Sequence, residues 1–500
     1  MNKNKYDIII AGSGLGGLVC GYVLSKNGFK VAIVEKNQQI GGCLQTFKRW
    51  GTKFDTGMHY IGSMDEGQIL HKFFKYLRLL DSVKISRLDE SGYDVISLCG
   101  EQFRYANGFE RFIDTLATKF PNNQIDIKNY VKKIRDIASS SPLFNLQEIN
   151  SHVFIEADYI KTSINDFISS ITKNEKLQNV LVGNLPLYAG IRDKTPTYIH
   201  ALITNFYIQS AFRIVGGSDS ISTSLANSIR GFGGEIFTNS EVKEFICNDE
   251  KIISILLTNG EQLEADYFIS NFHPQKTIEK INTKLIRKVY RERISNLENT
   301  ISNFTVFFKF KPDTVKYLNY NYYNYDNQDI WSINNYDEKK FPQSYLYMHQ
   351  CTNDGNKFAD SAQMIAYMRF DEVKKWENSS VEKRGDEYKA FKEEKAQKLI
   401  DKLEKDFPGT KKSIESYCTS TPLTYRDYTG TTDGSMYGIV RDKNFLTQTL
   451  ISQRTKIPNL LLTGQNINSH GILGVTIGAI ITCSEHLGLN KIIRDIGAEE

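Results

Sequence analysis

The densest run of chemically informative residues is Gly12-Ser13-Gly14-Leu15-Gly16-Gly17. It follows an apolar, β-branched stretch from Asp7 to Ala11. It precedes apolar residues at helical spacing, Leu15, Leu18, Val19, Tyr22 and Val23. Gly12 permits a tight strand-to-helix turn, Gly14 lets backbone approach a pyrophosphate, and Gly17 lets helix and strand pack closely. The helix start then offers free N–H groups and the positive end of its dipole to phosphates. Glu35 closes the next apolar run, Val31 to Val34, 18 residues after Gly17, where a carboxylate can accept from ribose hydroxyls. Strand, glycine turn, helix, strand and acid in this order read as a dinucleotide site. A glycine-rich turn in an unrelated α/β fold is the alternative.

The elements that must position this loop are spread along the chain. Residues 213–246 read as a turn at Gly216-Gly217, a helix carrying Ile221, Leu225 and Ile229, a stop at Gly233-Gly234, and strands near Ile236 and Val242. Two further strands flank Asn259-Gly260, a strong hairpin signal. Leu460 to Leu462 adds an apolar strand, followed by Thr463-Gly464-Gln465-Asn466 and a helix from about Val475 to Leu487. Between these pieces lie two blocks of different texture, helical and aromatic-rich. Residues 1–110, 210–275 and 415–500 are therefore expected to form a Rossmann-type α/β nucleotide domain, with 111–209 and 276–414 forming an inserted α+β domain. The five tyrosines of residues 317–325 fit either an apolar tunnel or one face of a sheet. The charged stretch 383–406 fits a solvated helix with i,i+4 ion pairs.

Composition narrows the classes. The chain has 500 residues, 40% hydrophobic and 24% charged, with a net charge of +4, an ordinary globular balance. So little net charge predicts no nucleic-acid partner. The seven cysteines are odd in number, dispersed and without a Cys-x-x-Cys pair, so neither a disulfide framework nor a metal site is expected, and a reducing, cytoplasmic setting fits. Glycines interrupt the stretch Tyr6 to Ser25, and Gly471 to Ser484 is only 14 residues long, so neither reads as a targeting signal or a bilayer span. No G-x-S-x-G elbow is present.

After Glu35 come two further motifs, GGCLQTF at 41–47 and FDTGMHYIG at 54–62, joined later by TPLTYRDYTG at 421–430 and LLLTGQNINSHGILGV at 460–475. These runs and the three-part layout resemble the flavin oxidoreductases that include phytoene desaturases, carotenoid isomerases, amine oxidases and GDP-dissociation inhibitors. Within that group they are most similar to the carotenoid isomerase and all-trans-retinol 13,14-reductase branch. The resemblance covers about half of the chain and does not extend to the inserted domain.

The resemblance implies FAD as cofactor. Gly12, Ser13, Gly14, Leu15, Gly16 and Gly17 would hold its pyrophosphate, and Glu35 with Lys36 the adenosine ribose edge. Gly42 and Cys43 would follow the phosphates and ribityl chain, and Val242 would present backbone to the adenine. Gly464 and Asn466 would meet the ribityl–phosphate junction, with Met58, His59, Gly474, Val475 and Thr476 near the flavin. Relatives commonly carry an acid where this chain has Asn466, so that contact would lose a charge. His59 and Tyr60 would line the reaction centre as proton donors, although His59 could instead only fix its loop. Tyr437 is a third catalytic candidate, for which packing alone is the alternative, as it is for Arg426. His470 could cap the last helix or touch the flavin.

The same resemblance implies an oxidoreductase acting on carbon–carbon double bonds of an apolar polyene or isoprenoid-like lipid, as a saturase or isomerase. A desaturase, an amine oxidase and a non-catalytic binding module like the GDP-dissociation inhibitors are the alternatives. NAD(P)H is a candidate electron donor, although no second dinucleotide fingerprint is evident. An apolar substrate also suggests peripheral membrane contact through Pro186 to Ala189 or Tyr198 to Phe212, including Phe206 and Tyr207. A buried helix is the other reading of that second segment.

Overall fold

The computed structural model describes residues 5–148, 157–467 and 469–498. Its first sheet has the order Glu235–Phe237, Val31–Val34, Lys5–Ala11, Gln262–Ser270, Ile252–Leu257 and Val242–Cys247, with Leu460–Leu462 also pairing with Gln262–Ser270. Lys5–Ala11 runs parallel to both neighbours, and the last three strands of the path form an antiparallel meander turned at Gly260. Ile8, Ile9 and Ile10 are fully buried, as a strand covered on both faces requires. One face carries the helices Leu15–Lys26, Asp219–Gly231 and Gly471–Leu487 over a core that includes Leu18, Ile33, Ile221 and Ile477.

A second seven-stranded sheet has the order Ile414–Ser420, Ser302–Phe310, Ser361–Met368, Ser344–His349, Asn321–Tyr325, Asp94–Leu98 and Glu101–Tyr105. The last two strands precede residue 110, where the sequence places the end of the first nucleotide segment, yet they pair here. Asp94 explains the difference: it is fully buried and accepts from Asn321 Nδ2 at 2.8 Å across 227 residues of sequence. Ile414–Ser420 likewise pairs with Ser302–Phe310. Pairings this remote leave no local pattern to read.

The tyrosine-rich stretch enters this sheet as a buried strand. Tyr323 and Tyr325 face the helical side and Tyr322 the other, the period-two alternation of a strand, and none of them lines the clefts described below. Residues 198–212 form the helix Thr197–Gln209 and the start of the strand Ala211–Ile214, with no exposed side chain among them. Phe206 is buried and Tyr207 packs on Tyr60, so the segment lacks charge because it is core, not because it meets lipid. Pro186 to Ala189 is likewise without an exposed residue. The helix Gly385–Asp406 carries the surface pair Lys398–Glu394, but Lys395 turns inward to a buried ion pair with Glu372. Among the described residues no single helix is long and apolar enough to cross a membrane. Gly471–Leu487 and Leu489–Gly497 pass that test only together, across a 120° bend.

Six histidines, His59, His200, His273, His349, His470 and His486, have pKa values lowered chiefly by burial, His59 and His470 from 6.5 to about 4. The unfolded chain then binds more protons than the folded one between these values, so stability is complete above about 6.5 and is lost as pH falls toward 4. Burial acts the opposite way on Asp55 and on Asp94, which rises to about 7, but two aspartates face six histidines. Urea unfolding should therefore show a lower midpoint at about pH 5 than at about pH 7; an equal or higher midpoint contradicts this balance.

Candidate functional site

The glycine loop lies at the carboxyl end of Lys5–Ala11. Gly12 has φ +99°, and a Cβ on Gly17 would stand 2.1 Å from Gly12 O, so helix and strand approach as closely as backbone allows. Gly14 is the N-cap of the helix and provides no side-chain cap. Ser13 faces inward: its N and Oγ donate to Glu35 Oε2 at 3.0 and 2.6 Å, and Asn37 N donates to Oε1 at 2.9 Å. Glu35 is thereby fixed in place with acceptor capacity to spare. The second glycine pair packs on the first. Gly41 N donates to Ser13 O at 3.1 Å, and a Cβ on Gly42 would lie 3.1 Å from Gly14 Cα.

These contacts frame a cleft of about 550 Å³. Gly12, Gly14, Leu15, Gly16, Glu35 and Lys36 line it, and so do Gly42, Cys43 and Met58. Val242, Gly464, Asn466, Val475 and Tyr437 complete the expected residues on its wall. A second cavity of about 50 Å³ adjoins it and shares Cys43, Gly57, Met436 and Tyr437; His59, Tyr367 and Tyr425 are among its other walls. The glycine cradle leaves little room for a Cβ, and Glu35 stands on the wall of the same cleft. The residues present therefore fit FAD.

Several expectations need correction. Tyr60 does not reach either space. Successive residues of an extended segment point to opposite sides, so with His59 at the inner cavity Tyr60 turns into the second-sheet core. Its hydroxyl there donates to Asp94 Oδ2 at 2.9 Å and meets Tyr323 OH at 2.9 Å. Gly474 is a packing glycine whose Cβ would strike Ser469 Cβ at 2.6 Å. Thr476 is buried, and its hydroxyl donates to Ile472 O at 2.7 Å. Ser13 and Gly17 support the loop from beneath, outside the cleft wall. Within the cleft, Val242 O accepts from Lys280 Nζ at 2.6 Å and Lys36 Nζ donates to Asp427 O at 2.7 Å. Asn466 Oδ1 accepts from Ile439 N at 3.0 Å, which holds the 437–439 turn. Arg426 is spent on Asp427 and on Glu377 O. Tyr437 OH donates to Pro186 O at 3.0 Å, and its ring lies 4.5 Å from that of His470.

Asn271 was not anticipated from the sequence. With its amide oriented to satisfy both ends, its oxygen accepts from Gly14 N and Gly17 N at 3.2 Å, so it braces the loop from the end of Gln262–Ser270. The signal was available, because ligands of open α/β sheets sit beyond the carboxyl ends of parallel strands.

The expected role of Glu35 as ribose acceptor can be tested directly. A charge-assisted hydrogen bond is worth about 1.5–3 kcal/mol, so Glu35→Ala should weaken FAD binding roughly tenfold or more in a fluorescence titration. Gly14→Val should lose more, since its side chain would enter the phosphate path. Wild-type affinity in the first, or full flavin content in the second, contradicts these assignments.

The chain matches the flavin containing amine oxidoreductase family over residues 15–482. It is 26% identical to human all-trans-retinol 13,14-reductase over 97% of this chain and 86% of that protein. It is 23% identical to chloroplastic prolycopene isomerase 2 of an Oncidium hybrid cultivar, over 87% of this chain and 75% of that one. The fold of an oxidoreductase from Methanosarcina mazei superimposes with a TM-score of 0.62 at 16% identity, covering 95% of this chain and 99% of that one. With a family match spanning nearly its whole length, this chain belongs to the flavin containing amine oxidoreductases.

Proposed function

We propose that the protein is an FAD-dependent oxidoreductase that acts on a carbon–carbon double bond of an apolar polyene or isoprenoid-like lipid, as a saturase or an isomerase. The observation that carries this reading is the uncharged lining where the small inner cavity joins the cofactor cleft, through Cys43, Gly57, Met436 and Tyr437. Its walls combine Leu346, Ile365 and Pro186 with several tyrosines, and none of its side chains is ionised at neutral pH. The similarity to relatives named for retinol reduction and prolycopene isomerisation supports the substrate class. Bound FAD supplies hydride transfer.

The chain's own residues bind, orient and exclude water. Burial keeps the Cys43 thiol and the phenols of Tyr425 and Tyr437 protonated, so they present an uncharged surface to an apolar substrate. Tyr437 is anchored by Pro186 O and packs on His470, which makes it a wall and leaves no proton of its own for chemistry. His59 is the imidazole on the cavity wall, beside the polar side chains of Asn303 and Ser344. NAD(P)H as electron donor and peripheral membrane contact belong to this reading. With residues 198–212 in the core, such contact would have to come from apolar side chains elsewhere on the surface.

Anaerobic incubation of the reduced, FAD-loaded protein with retinoids, carotenoids and other unsaturated lipids, read by mass, tests the reading. A gain of two hydrogens marks a saturase and unchanged mass with altered retention an isomerase; no change in any lipid, or turnover of amines instead, contradicts it. Bleaching of the flavin by NADH or NADPH without oxygen checks the donor, and a flavin reduced by dithionite alone excludes it. Tyr437→Phe should keep turnover within a few-fold and lose about 1 kcal/mol of stability, whereas loss of turnover would make its hydroxyl catalytic.

A further inference from the structure

The ring of His59 separates two spaces. On one side lies the inner cavity, and behind it is an enclosed polar hollow of about 10 Å³ lined by Arg213, Gln363, Asp55, His349 and Cys351 among others. Gln363 stands on the strand Ser361–Met368, is 2% exposed, and places Nε2 at 2.8 Å from His59 Nδ1. Arg213 is also 2% exposed, and its terminal nitrogens are used on His349 O, Tyr320 O and Asn321 Oδ1. Arg213 Nε and Gln363 Oε1 are the polar atoms of these two side chains left without a protein partner. Their shared hollow has the volume of one water, which needs two or more polar partners.

We propose that Gln363 is a positioning residue that locks His59 as the neutral tautomer with its proton on Nε2, and that one water in the hollow joins Arg213 Nε to Gln363 Oε1. The direction follows from the donors. Arg213 can only donate, so the water it holds keeps both hydrogens to give, and the unpartnered Gln363 Oε1 is the acceptor placed to take one. The amide nitrogen then faces His59, and Nδ1 has to be the bare acceptor. Reversing the amide would face its oxygen to the ring and require the proton on Nδ1, so the amide orientation and the tautomer are one and the same choice. A neutral imidazole with Nδ1 occupied as acceptor carries its hydrogen on Nε2, the ring edge away from Gln363.

The surroundings keep the ring neutral. Burial and then the Arg213 cation hold the His59 pKa at about 4. Of the other titratable groups around the hollow, Asp55 is pushed up by burial and accepts from Ser218, His349 is held low, and the Cys351 thiol is raised. On the cavity side Cys43, Tyr345, Tyr367, Tyr425 and Tyr437 are all shifted toward their neutral forms. His59 therefore offers the cavity a fixed N–H hydrogen bond and no mobile proton. The ligand atom it suits is an oxygen or nitrogen acceptor held near the reacting double bond. This last step rests on the substrate reading above, whereas the tautomer does not.

Ring-15N-labelled histidine in the FAD-loaded protein gives the tautomer by long-range proton–nitrogen correlation, with His59 identified by the signals lost in His59→Gln. The expected pattern is a bare Nδ1 and a protonated Nε2. In Gln363→Glu a carboxylate would accept from the ring and move the proton to Nδ1. In Gln363→Met the single pattern should give way to a mixture, a second reading if the buried acid impairs folding. A protonated Nδ1 in the wild type, or an unchanged pattern in a folded variant, overturns the proposal. So does a high-resolution crystal structure with no water between Arg213 and Gln363. None of these readouts needs a substrate, so their failure is distinct from failure of the lipid reading.

Discussion

The contact on which the rest depends is backbone against backbone, where Gly17 meets Gly12 O and Gly42 meets Gly14 Cα. A single Cβ would stand 2.1 Å from an oxygen in the first case and 3.1 Å from a carbon in the second. This proximity aims the helix start at the cleft and seats the second glycine pair beside it. It also brings Ser13 onto Glu35, so one carboxylate both braces the loop and lines the cleft. A charge this well buried is tolerable because three donors already meet it.

From that fixed point, four consecutive residues carry the geometry into the second half of the molecule. Met58 lines the cleft, His59 lines the inner cavity, Tyr60 enters the second-sheet core and Ile61 pairs with Phe212 in a small third sheet. Tyr60, Asp94, Asn321 and Arg213 form one hydrogen-bonded chain between these regions. Buried polar chains are costly when incomplete and rigid when complete. This chain sets His59 relative to the cofactor cleft through groups that never touch either space.

The surrounding chemistry is kept neutral by dehydration. Burial raises the thiols and phenols around the cavity and lowers its histidine. That suits an apolar ligand beside a flavin, and it makes hydrogen bonding, not charge, the means by which the walls can orient it.

The nucleotide half was legible because its signals are local. A strand, a turn that demands glycine, a helix and an acid follow within one βαβ unit, and the Asn259-Gly260 hairpin announces itself the same way. The flavin family was legible because GGCLQTF and FDTGMHYIG sit at fixed distances from that unit. What the sequence could not decide was which side of a segment a residue faces once remote strands meet it. His59 and Tyr60 are equally plausible donors on paper, and only the pairing of Asn321 with Asp94 shows that Tyr60 is drawn away. Residues 198–212 read equally as a lipid-facing patch or a core helix, because both lack charge. Gly474 and Thr476 stand in the right motif, yet helix packing turns them from the cleft. Asn271, just past a strand, and Gln363, within one, carry no local signal and matter through remote partners, Asn271 meeting Gly14 and Gly17, and Gln363 meeting His59 across 304 residues of sequence. Local motifs fix the backbone that binds phosphate, whereas side-chain direction at a buried site is set by long-range packing, which no local pattern encodes.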